Sequence, residues 1–289
     1  MKTLRLNFPQ WQGGESHNIA SYIPELSEQD ASQGYYLGSR LVSWLVPKKP
    51  GQIEADVPVS LDYHDNATAN GIFAYDANLR QQTAAMNIIR QHQPDKIITL
   101  GGDCAVSLAP FAWLADKYAN DVAILWIDGH PDLGIPGDEY TGYHAMVLAQ
   151  ILGTGDSQMA ALLPEHKVRH QDALIVGLRY FGEPAEQRRK DWGIQTVPCA
   201  QANSDSGAVL AWLKQTGKSK VLVHFDLDVL EASDLKIAVG HEPNGLHPAA
   251  AARLINDIAA HAEIVGLTIA EAMPREVIKL RNLLHSLPL

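Results

Sequence analysis

Carboxylate, imidazole and thiol side chains follow four of the apolar segments of the chain. Cys104 comes after residues 96–100, Asp128-Gly129-His130-Pro131-Asp132 after residues 122–127, Asp226-Leu227-Asp228 after residues 221–225, and Glu271 after residues 264–269. In open parallel sheets the ligand site lies beyond the carboxyl ends of the strands, so these groups are expected to meet at one edge. Carboxylates that converge there repel one another unless a cation lies among them. The pattern predicts a site for one divalent cation or a pair.

The types of ligand narrow the choice of metal. Aspartate oxygens with a neutral imidazole suit Mn²⁺, and also Zn²⁺, Fe²⁺, Co²⁺ or Ni²⁺. If the strands continue through the motifs, Asp128 and His130 share one face, as do Asp226 and Asp228, because side chains repeat every two residues. Carboxylates shared between two ions would hold them roughly 3.5–4 Å apart, as in two-metal hydrolases. His144 follows shortly after in the chain, and we expect it to carry protons.

Alternating strands and helices must position these groups. The predicted strands are short apolar runs at residues 96–100, 122–127, 173–178, 221–225 and 264–269. The predicted helices are amphipathic segments at residues 77–91, 205–215, 248–260 and 274–286. Such alternation is typical of a mainly parallel sheet with right-handed crossovers. Residues 47–70 and 133–143 are predicted surface loops, and we expect residues 1–289 to form a single domain.

Composition excludes several classes of protein. The 289 residues are 46% hydrophobic and 19% charged, which is ordinary for a globular chain, and the formal net charge of −10 disfavours a nucleic-acid binder. Cys104 and Cys199 are too few for a disulfide framework, which indicates a reducing compartment. No apolar run is long enough for a signal peptide or a membrane span, so we expect a cytoplasmic protein with no membrane partner.

Four segments together resemble the motifs of the ureohydrolase family, which includes arginase, agmatinase and formiminoglutamase. Residues 101–107 resemble its G-G-D-H-S element, residues 128–132 its D-A-H-x-D element, residues 224–228 its S-F-D-x-D element, and residues 270–274 its late M-E-x-N-P segment. The order and spacing agree over about residues 95–275, and the set is specific as a whole. The resemblance implies an α/β fold, an arginase-like three-layer α/β/α sandwich with a mainly parallel sheet.

The resemblance also implies two divalent metal ions, with manganese as the expected metal. The ligands it implies are the bridging carboxylates Asp128 and Asp226, then His130 and Asp228 on one ion, and Asp132 with Cys104 on the other. A metal-bridging hydroxide would attack the guanidinium carbon, and Asp132 would accept a hydrogen bond from that hydroxide. Glu271 would hold the guanidinium by charge-assisted hydrogen bonds, and His144 would carry protons to the leaving amine. The implied partners are a small guanidino or amidino substrate and further copies of the chain in a homo-oligomer.

The sequence departs from the family pattern at five positions. Cys104 stands where the family has a metal-ligating histidine, and a thiolate suits softer metals such as Zn²⁺ better than Mn²⁺. His224 replaces the usual serine, and Glu231 replaces a later aspartate. Gly134 and Gly182 stand where arginases place an Asn and an Asp that bind the α-carboxylate and α-amino groups of the substrate. The residues expected to carry out hydrolysis therefore match the family pattern better than those expected to recognise arginine.

These observations leave several hypotheses open. The leading one is metal-dependent hydrolysis of a C–N bond in a guanidino or amidino compound, releasing urea or a related amide, and its variants are agmatinase and formiminoglutamase activity. A second is a catalytically silent metal-binding or regulatory relative, because of Cys104 and the missing substrate contacts. A metal-independent α/β scaffold is disfavoured, because unpaired carboxylates are costly to hold together.

Overall fold

A computed structural model describes residues 1–289 and contains one sheet of eight parallel strands. The strands are β1 (Thr3–Phe8), β2 (Ile53–Asp56), β3 (Lys96–Gly101), β4 (Val122–Ile127), β5 (Ala173–Val176), β6 (Gln195–Val197), β7 (Lys220–Asp226) and β8 (Glu263–Ala270). Their spatial order is β2-β1-β3-β8-β7-β4-β5-β6. The two last strands of the chain therefore lie at the centre of the sheet, between β3 and β4.

Eleven α-helices connect and cover the strands. They are α1 (Ser16–Ser21), α2 (Glu28–Leu45), α3 (Tyr75–His92), α4 (Leu108–Tyr118), α5 (Val147–Ile151), α6 (Ser157–Leu162), α7 (Glu183–Asp191), α8 (Cys199–Ser204), α9 (Gly207–Thr216), α10 (Pro248–His261) and α11 (Val277–His285). The four predicted helices are confirmed as α3, α9, α10 and α11. Pro248 occupies the first turn of α10, where its missing N–H breaks no helical hydrogen bond.

The five predicted strands are confirmed as β3, β4, β5, β7 and β8, but β1, β2 and β6 were not predicted. β2 shows that the predicted loop over residues 47–70 is wrong in its first part. Its residues alternate between partly buried and exposed at the edge of the sheet, so they lack the continuous apolar run that marks a central strand. β6 is only three residues long and also lies at an edge.

The sheet is buried on both faces, which gives the three layers that were predicted. Along β4, Ala123, Leu125 and Ile127 belong to one hydrophobic core, whereas Ile124 and Trp126 belong to another. The first core contains apolar residues of α2, α8, α9, α10 and α11, and the second contains those of α3, α4, α5 and α6. The alternation follows from the two-residue repeat of a strand. The predicted α/β/α sandwich is confirmed.

The strand order places four functional strand ends side by side. β3, β8, β7 and β4 are consecutive neighbours, and parallel pairing brings all their carboxyl ends to one edge. β3 and β4 are followed by α4 and α5, which pack in the second core, whereas β7 and β8 are followed by α10 and α11, which pack in the first. The connections therefore change face between β3 and β8 and between β7 and β4, and such switch points are the usual place for a ligand site. None of the helices is long and apolar enough to cross a membrane.

Candidate metal and active site

A cavity of about 710 Å³ opens at the carboxyl ends of these four strands. Seven of the eight predicted site residues line it, namely Cys104, His130, Asp132, His144, Asp226, Asp228 and Glu271. The eighth, Asp128, is fully buried, and its carboxylate lies within 4.8 Å of donor atoms of His130 and Asp228. The fold therefore brings together all the residues that the sequence singled out.

Two equivalent turns orient the aspartates of β4 and β7. The amide of His130 donates to Asp128 Oδ1 at 2.6 Å, and the amide of Asp228 donates to Asp226 Oδ1 at 2.7 Å. β4 ends at Ile127 and β7 ends at Asp226, so the expectation that Asp128 and His130, and likewise Asp226 and Asp228, share a strand face is wrong. The turns bring each pair together instead. An aspartate that bonds the backbone two residues ahead stabilises this geometry without help from the sheet.

The first group of donor atoms combines Asp128, His130 and Asp228. His130 Nδ1 lies 2.7 Å from Asp228 Oδ2 and 3.6 Å from Asp128 Oδ1. Burial opposes the charged forms of both His130 and Asp228. The His130 imidazolium nevertheless lowers the pKa of Asp228 to about 2, and Asp228 raises the pKa of His130 well above its usual value. A divalent ion would replace the histidine proton between the same carboxylates.

The second group combines Cys104, Asp128, His224 and Asp226, all of them buried. Cys104 Sγ donates to Asp226 Oδ2 at 2.8 Å, and burial, together with Asp226, raises the pKa of the thiol well above its usual value. Burial lowers the pKa of His224 to about 3, so its ring is neutral. His224 was not among the predicted ligands. Its spacing of two residues from Asp226 within β7 was the signal that could have identified it.

The third group, Cys104, His144 and Glu271, lines the cavity. Glu271 Oε1 lies 3.3 Å from His144 Nδ1 and accepts a hydrogen bond of 3.1 Å from the Cys104 amide. Tyr140 Oη lies 2.7 Å from His144 Nε2. Burial lowers the pKa of His144, but Tyr140 and Glu271 more than offset it, so the pKa is raised well above its usual value.

Asp132 and Glu271 adopt left-handed backbone conformations, with φ values of 45° and 65°. Such conformations cost about 1–3 kcal/mol for residues other than glycine and concentrate at functional sites. The Asp132 carbonyl accepts hydrogen bonds from Leu148 and Ala149, and the Glu271 amide donates to Gly102 at 2.7 Å. These backbone bonds hold both carboxylates in place at the cavity.

The carboxylates at this site are better suited to binding a cation than to lying close together without one. Burial raises the pKa of Asp226 and Asp132 well above the usual range and that of Asp128 to about 6. Asp132 Oδ2 is buried without a hydrogen-bond partner, which is costly for a carboxylate oxygen. Divalent ions would compensate these charges and satisfy that oxygen. The residues present therefore fit a metal site, and Asp132 lies outside the three donor groups defined above.

The rest of the cavity wall differs from the part that the donor groups line. Gly134 and Gly182 both line the cavity, and an added Cβ at Gly134 would lie only 2.9 Å from the Ala145 carbonyl oxygen. Position 182 is open, with Pro184 Cδ as the nearest atom at 3.9 Å. No lysine or arginine lines the cavity, whereas carboxylates do. The wall therefore offers little to a negatively charged substrate group.

Comparison with known proteins identifies the class to which this fold and site belong. The model of the arginase family matches residues 43–279, so the chain belongs to that family. The N(omega)-hydroxy-L-arginine amidinohydrolase of Streptomyces lavendulae is 31% identical over 175 residues, covering 60% of this chain and 59% of that protein. Arabidopsis thaliana mitochondrial arginase 1 is 23% identical over 194 residues, covering 66% of this chain and 52% of that one. These sequence matches thus span less than two thirds of the relatives' own length.

Solved structures of the family share the whole fold. The Entamoeba histolytica arginase in complex with L-ornithine superposes with a TM-score of 0.77 at 17% identity, covering 99% of this chain and 96% of that one. The formimidoylglutamase of Bacillus subtilis superposes with a TM-score of 0.68 at 15% identity, covering 99% and 86%. At these identities the likeness establishes the arginase-type fold.

Proposed function

We propose that this protein is a metal-dependent hydrolase that cleaves a C–N bond in a guanidino or amidino compound and releases urea or a related amide. The observation that carries the proposal is the convergence of Asp128, His130, Asp226 and Asp228 with Glu271 and His144 around one cavity. Carboxylates with raised pKa values surround the metal-facing end, and a carboxylate paired with a histidine lies at the substrate-facing end. Membership of the arginase family supports the same reaction.

The chain would hold two divalent ions through its donor groups. His130 and Asp228 would serve one position, Asp226 and Cys104 the other, and Asp128 lies within reach of both. When bound, such ions lower the pKa of water and supply a nucleophile at neutral pH. Asp132, which lines the cavity and has a buried Oδ2 without a hydrogen-bond partner, would accept a hydrogen bond from that water.

Glu271 and His144 would handle the substrate and its leaving group. Glu271 would accept hydrogen bonds from the guanidinium N–H groups and hold the carbon near the metal-facing end. As water adds to that carbon and the C–N bond breaks, the leaving amine needs a proton. His144, whose raised pKa keeps it protonated near neutral pH, would donate it, and Tyr140 would keep the ring oriented.

The test is urea release from protein that has been stripped of metal and reloaded with Mn²⁺, Zn²⁺, Co²⁺ or Ni²⁺. Asp226→Asn should reduce turnover below about 1% of the parent and lower the metal content, because it removes a carboxylate from one of the two proposed ion positions. Asp234→Asn makes the same chemical change at an exposed position and should leave both unchanged. A protein that binds two ions but hydrolyses no guanidino or amidino compound would be the catalytically silent relative instead.

The charge of the cavity favours a substrate whose tail carries no carboxylate. Besides the predicted site residues, three acids line the cavity: Glu139, Glu15, whose Oε2 lies 3.3 Å from His17 Nε2, and Asp138, which is paired with Arg188. Agmatine, L-arginine and 4-guanidinobutyrate share a guanidinium and a similar chain but differ in the charge of the tail. We expect kcat/KM to fall in that order, by at least about tenfold overall, since like charges repel in a site of low dielectric. The opposite order would contradict this assignment of the substrate class.

A further inference from the structure

His224 is fully buried and held rigidly, yet one of its ring nitrogens has no hydrogen-bond partner. The ring stacks on Trp126 with centroids 3.7 Å apart and planes inclined by 6°. Nδ1 lies 2.8 Å from Ser107 Oγ, and Nε2 is the nitrogen left without a partner. A buried and unsatisfied polar atom costs about 1–3 kcal/mol. Some compensating role for Nε2 is therefore needed.

The surroundings of Nε2 are those of a metal ligand. Donor atoms of Cys104, Asp128, His224 and Asp226 all lie within 4.8 Å of one another. Ligands bound at about 2.0–2.3 Å lie roughly 3–4.5 Å apart around one ion, so the group could close on an ion with small movements. Nε2 lies 3.9 Å from Asp128 Oδ2, which is too far for a hydrogen bond between them.

The residues that contact His224 and Asp128 are arranged like the outer contacts of metal ligands in other proteins. Metal-binding histidines usually donate their second ring N–H to a neighbour, which fixes the tautomer, and Ser107 Oγ is placed to accept from Nδ1. The indole of Trp126 donates to Asp128 Oδ2 at 2.8 Å and fixes that carboxylate too. In the tautomer whose Nδ1–H donates to Ser107, Nε2 keeps its lone pair within the group that also contains Asp128, Asp226 and Cys104.

We propose that His224 and Cys104 together replace the histidine that the family motif places at position 104, so that one ion is held by Cys104, Asp128, His224 and Asp226. The proposal rests on the metal-dependent function proposed above. Two departures from the family pattern, at 104 and at 224, then explain each other, since the imidazole missing after β3 is supplied by β7, which lies on the far side of β8. A set of one sulfur, one nitrogen and two oxygens favours Zn²⁺ over Mn²⁺ at this position.

The consequence is that the two ions would play different parts. Four protein donors are the number found in closed structural zinc sites, whereas a catalytic ion keeps an open position. The ion at Cys104 and His224 would then neutralise the buried carboxylates. The position beside His130 and Asp228 has fewer protein donors and would remain open to water and substrate.

The test measures binding of Co²⁺ to the metal-free full chain, with metal content and absorption spectra as the readouts. The parent should bind two ions, one of them with the near-ultraviolet charge-transfer band of a thiolate ligand, which Cys104→Ser should abolish. His224→Ser should weaken binding of that ion more than about 100-fold, because loss of a ligand exceeds the 10–100-fold effect of an outer contact. His247→Ser, at an exposed histidine paired with Asp234, is the matched control and should behave as the parent does.

Further variants separate the possible outcomes. Ser107→Ala keeps the ring and should weaken the same ion by about 10–100-fold, which tests the proposal even if His224→Ser fails to fold. The double variant Cys104→His with His224→Ser should again bind two ions and shift the preference from Zn²⁺ to Mn²⁺. An unchanged affinity and Co²⁺ spectrum in His224→Ser would overturn the role of His224 alone. A parent that binds no metal would overturn the proposed function as well.

Discussion

Asp128 connects the parts of the site, because its carboxylate belongs to two of the donor groups. Trp126 donates to Oδ2, and the amide of His130 donates to Oδ1, so neither oxygen can turn away from its neighbours. The same fixed geometry keeps the negative charge in a buried place and raises the pKa of Asp128 to about 6. At the scale of single residues, the site is a set of carboxylates held in positions that favour a cation.

Glu271 gives the most direct test of substrate binding. Glu271→Gln keeps the shape of the side chain but removes its charge, so kcat/KM should fall about 10- to 150-fold, the value of one charged hydrogen bond of 1.5–3 kcal/mol. Metal content should stay that of the parent, which separates the effect from loss of an ion. Glu276→Gln, which removes only a surface pair with Lys279, is the control. Equal losses in the two variants would contradict the role assigned to Glu271.

The buried acids also predict how the stability of the metal-free protein depends on pH. The pKa of Asp128 is raised to about 6 and that of Asp103 to about 7, by burial in both cases, so the folded state binds protons more tightly than the unfolded state. The stability that this contributes is complete below pH 4 and is lost as pH rises through 6 and 7. The free energy of unfolding should fall by up to about 1.4 kcal/mol per pH unit for each group.

Urea unfolding at pH 4.5, 6 and 7.5 measures this dependence. With saturating metal the part of the decline that comes from Asp128 should disappear, because the ion replaces the proton on that carboxylate, whereas Asp103 lies outside the donor groups. Identical pH dependence with metal and with chelator would show that the raised pKa values have no connection to metal binding.

At the scale of elements, the site depends on how closely the ends of β1, β3 and β8 approach one another. The Gly102 amide donates to Phe8 O, and the Gly102 carbonyl accepts from Glu271, so this residue joins three strands. A Cβ at Gly102 would collide with the backbone carbonyl of Gln10. Only glycine allows this approach of one backbone to another.

Gly102→Ala should therefore destabilise the protein by about 1–3 kcal/mol, the usual cost of overpacking, and should displace Cys104 and Glu271. Gly182→Ala is the matched control, because position 182 has open space and an ordinary negative φ of −80°. Midpoints of urea unfolding measure both effects. If the two alanine variants unfold alike, the close approach at Gly102 does not limit stability.

At the scale of the whole molecule, the topology interleaves the two halves of the chain. β7 and β8 come last in the sequence but lie between β3 and β4, so no single cut of the chain leaves a continuous central sheet. The hydrophobic cores on the two faces also draw on residues from both halves. We propose on these grounds that residues 1–289 form one cooperative domain.

Calorimetry tests that proposal. The metal-free chain should unfold in one transition, with a van't Hoff enthalpy equal to the calorimetric enthalpy, because the central strands cannot leave without breaking both halves. Saturating metal should raise the temperature of that single transition, since an ion that binds only the folded state stabilises all of it. Two resolved transitions would contradict the single domain.

Much of this architecture can be predicted from the sequence because it depends on local periodicity. Continuous apolar runs marked the five central strands, and the polar residues directly after them marked the site, since parallel pairing sends every strand end to one edge. The edge strands β2 and β6 were not predicted because they lack such continuous apolar runs. An edge strand is short or half exposed, so its local pattern resembles that of a loop.

The sequence by itself determined the fold class, the family resemblance and the eight residues expected at the site, because each rests on residue type and spacing within a segment. Only the tertiary structure showed that the carboxylates of Asp128 and Asp226 stabilise turns by accepting hydrogen bonds from the backbone two residues ahead. It alone also showed that His224 lies beside Cys104 with a ring nitrogen that has no hydrogen-bond partner. Residues 104 and 224 are far apart in the chain, and their contact depends on β8 and β7 being inserted between β3 and β4. Spacing along a chain cannot reveal such an arrangement, because it is set by the packing of the entire sheet.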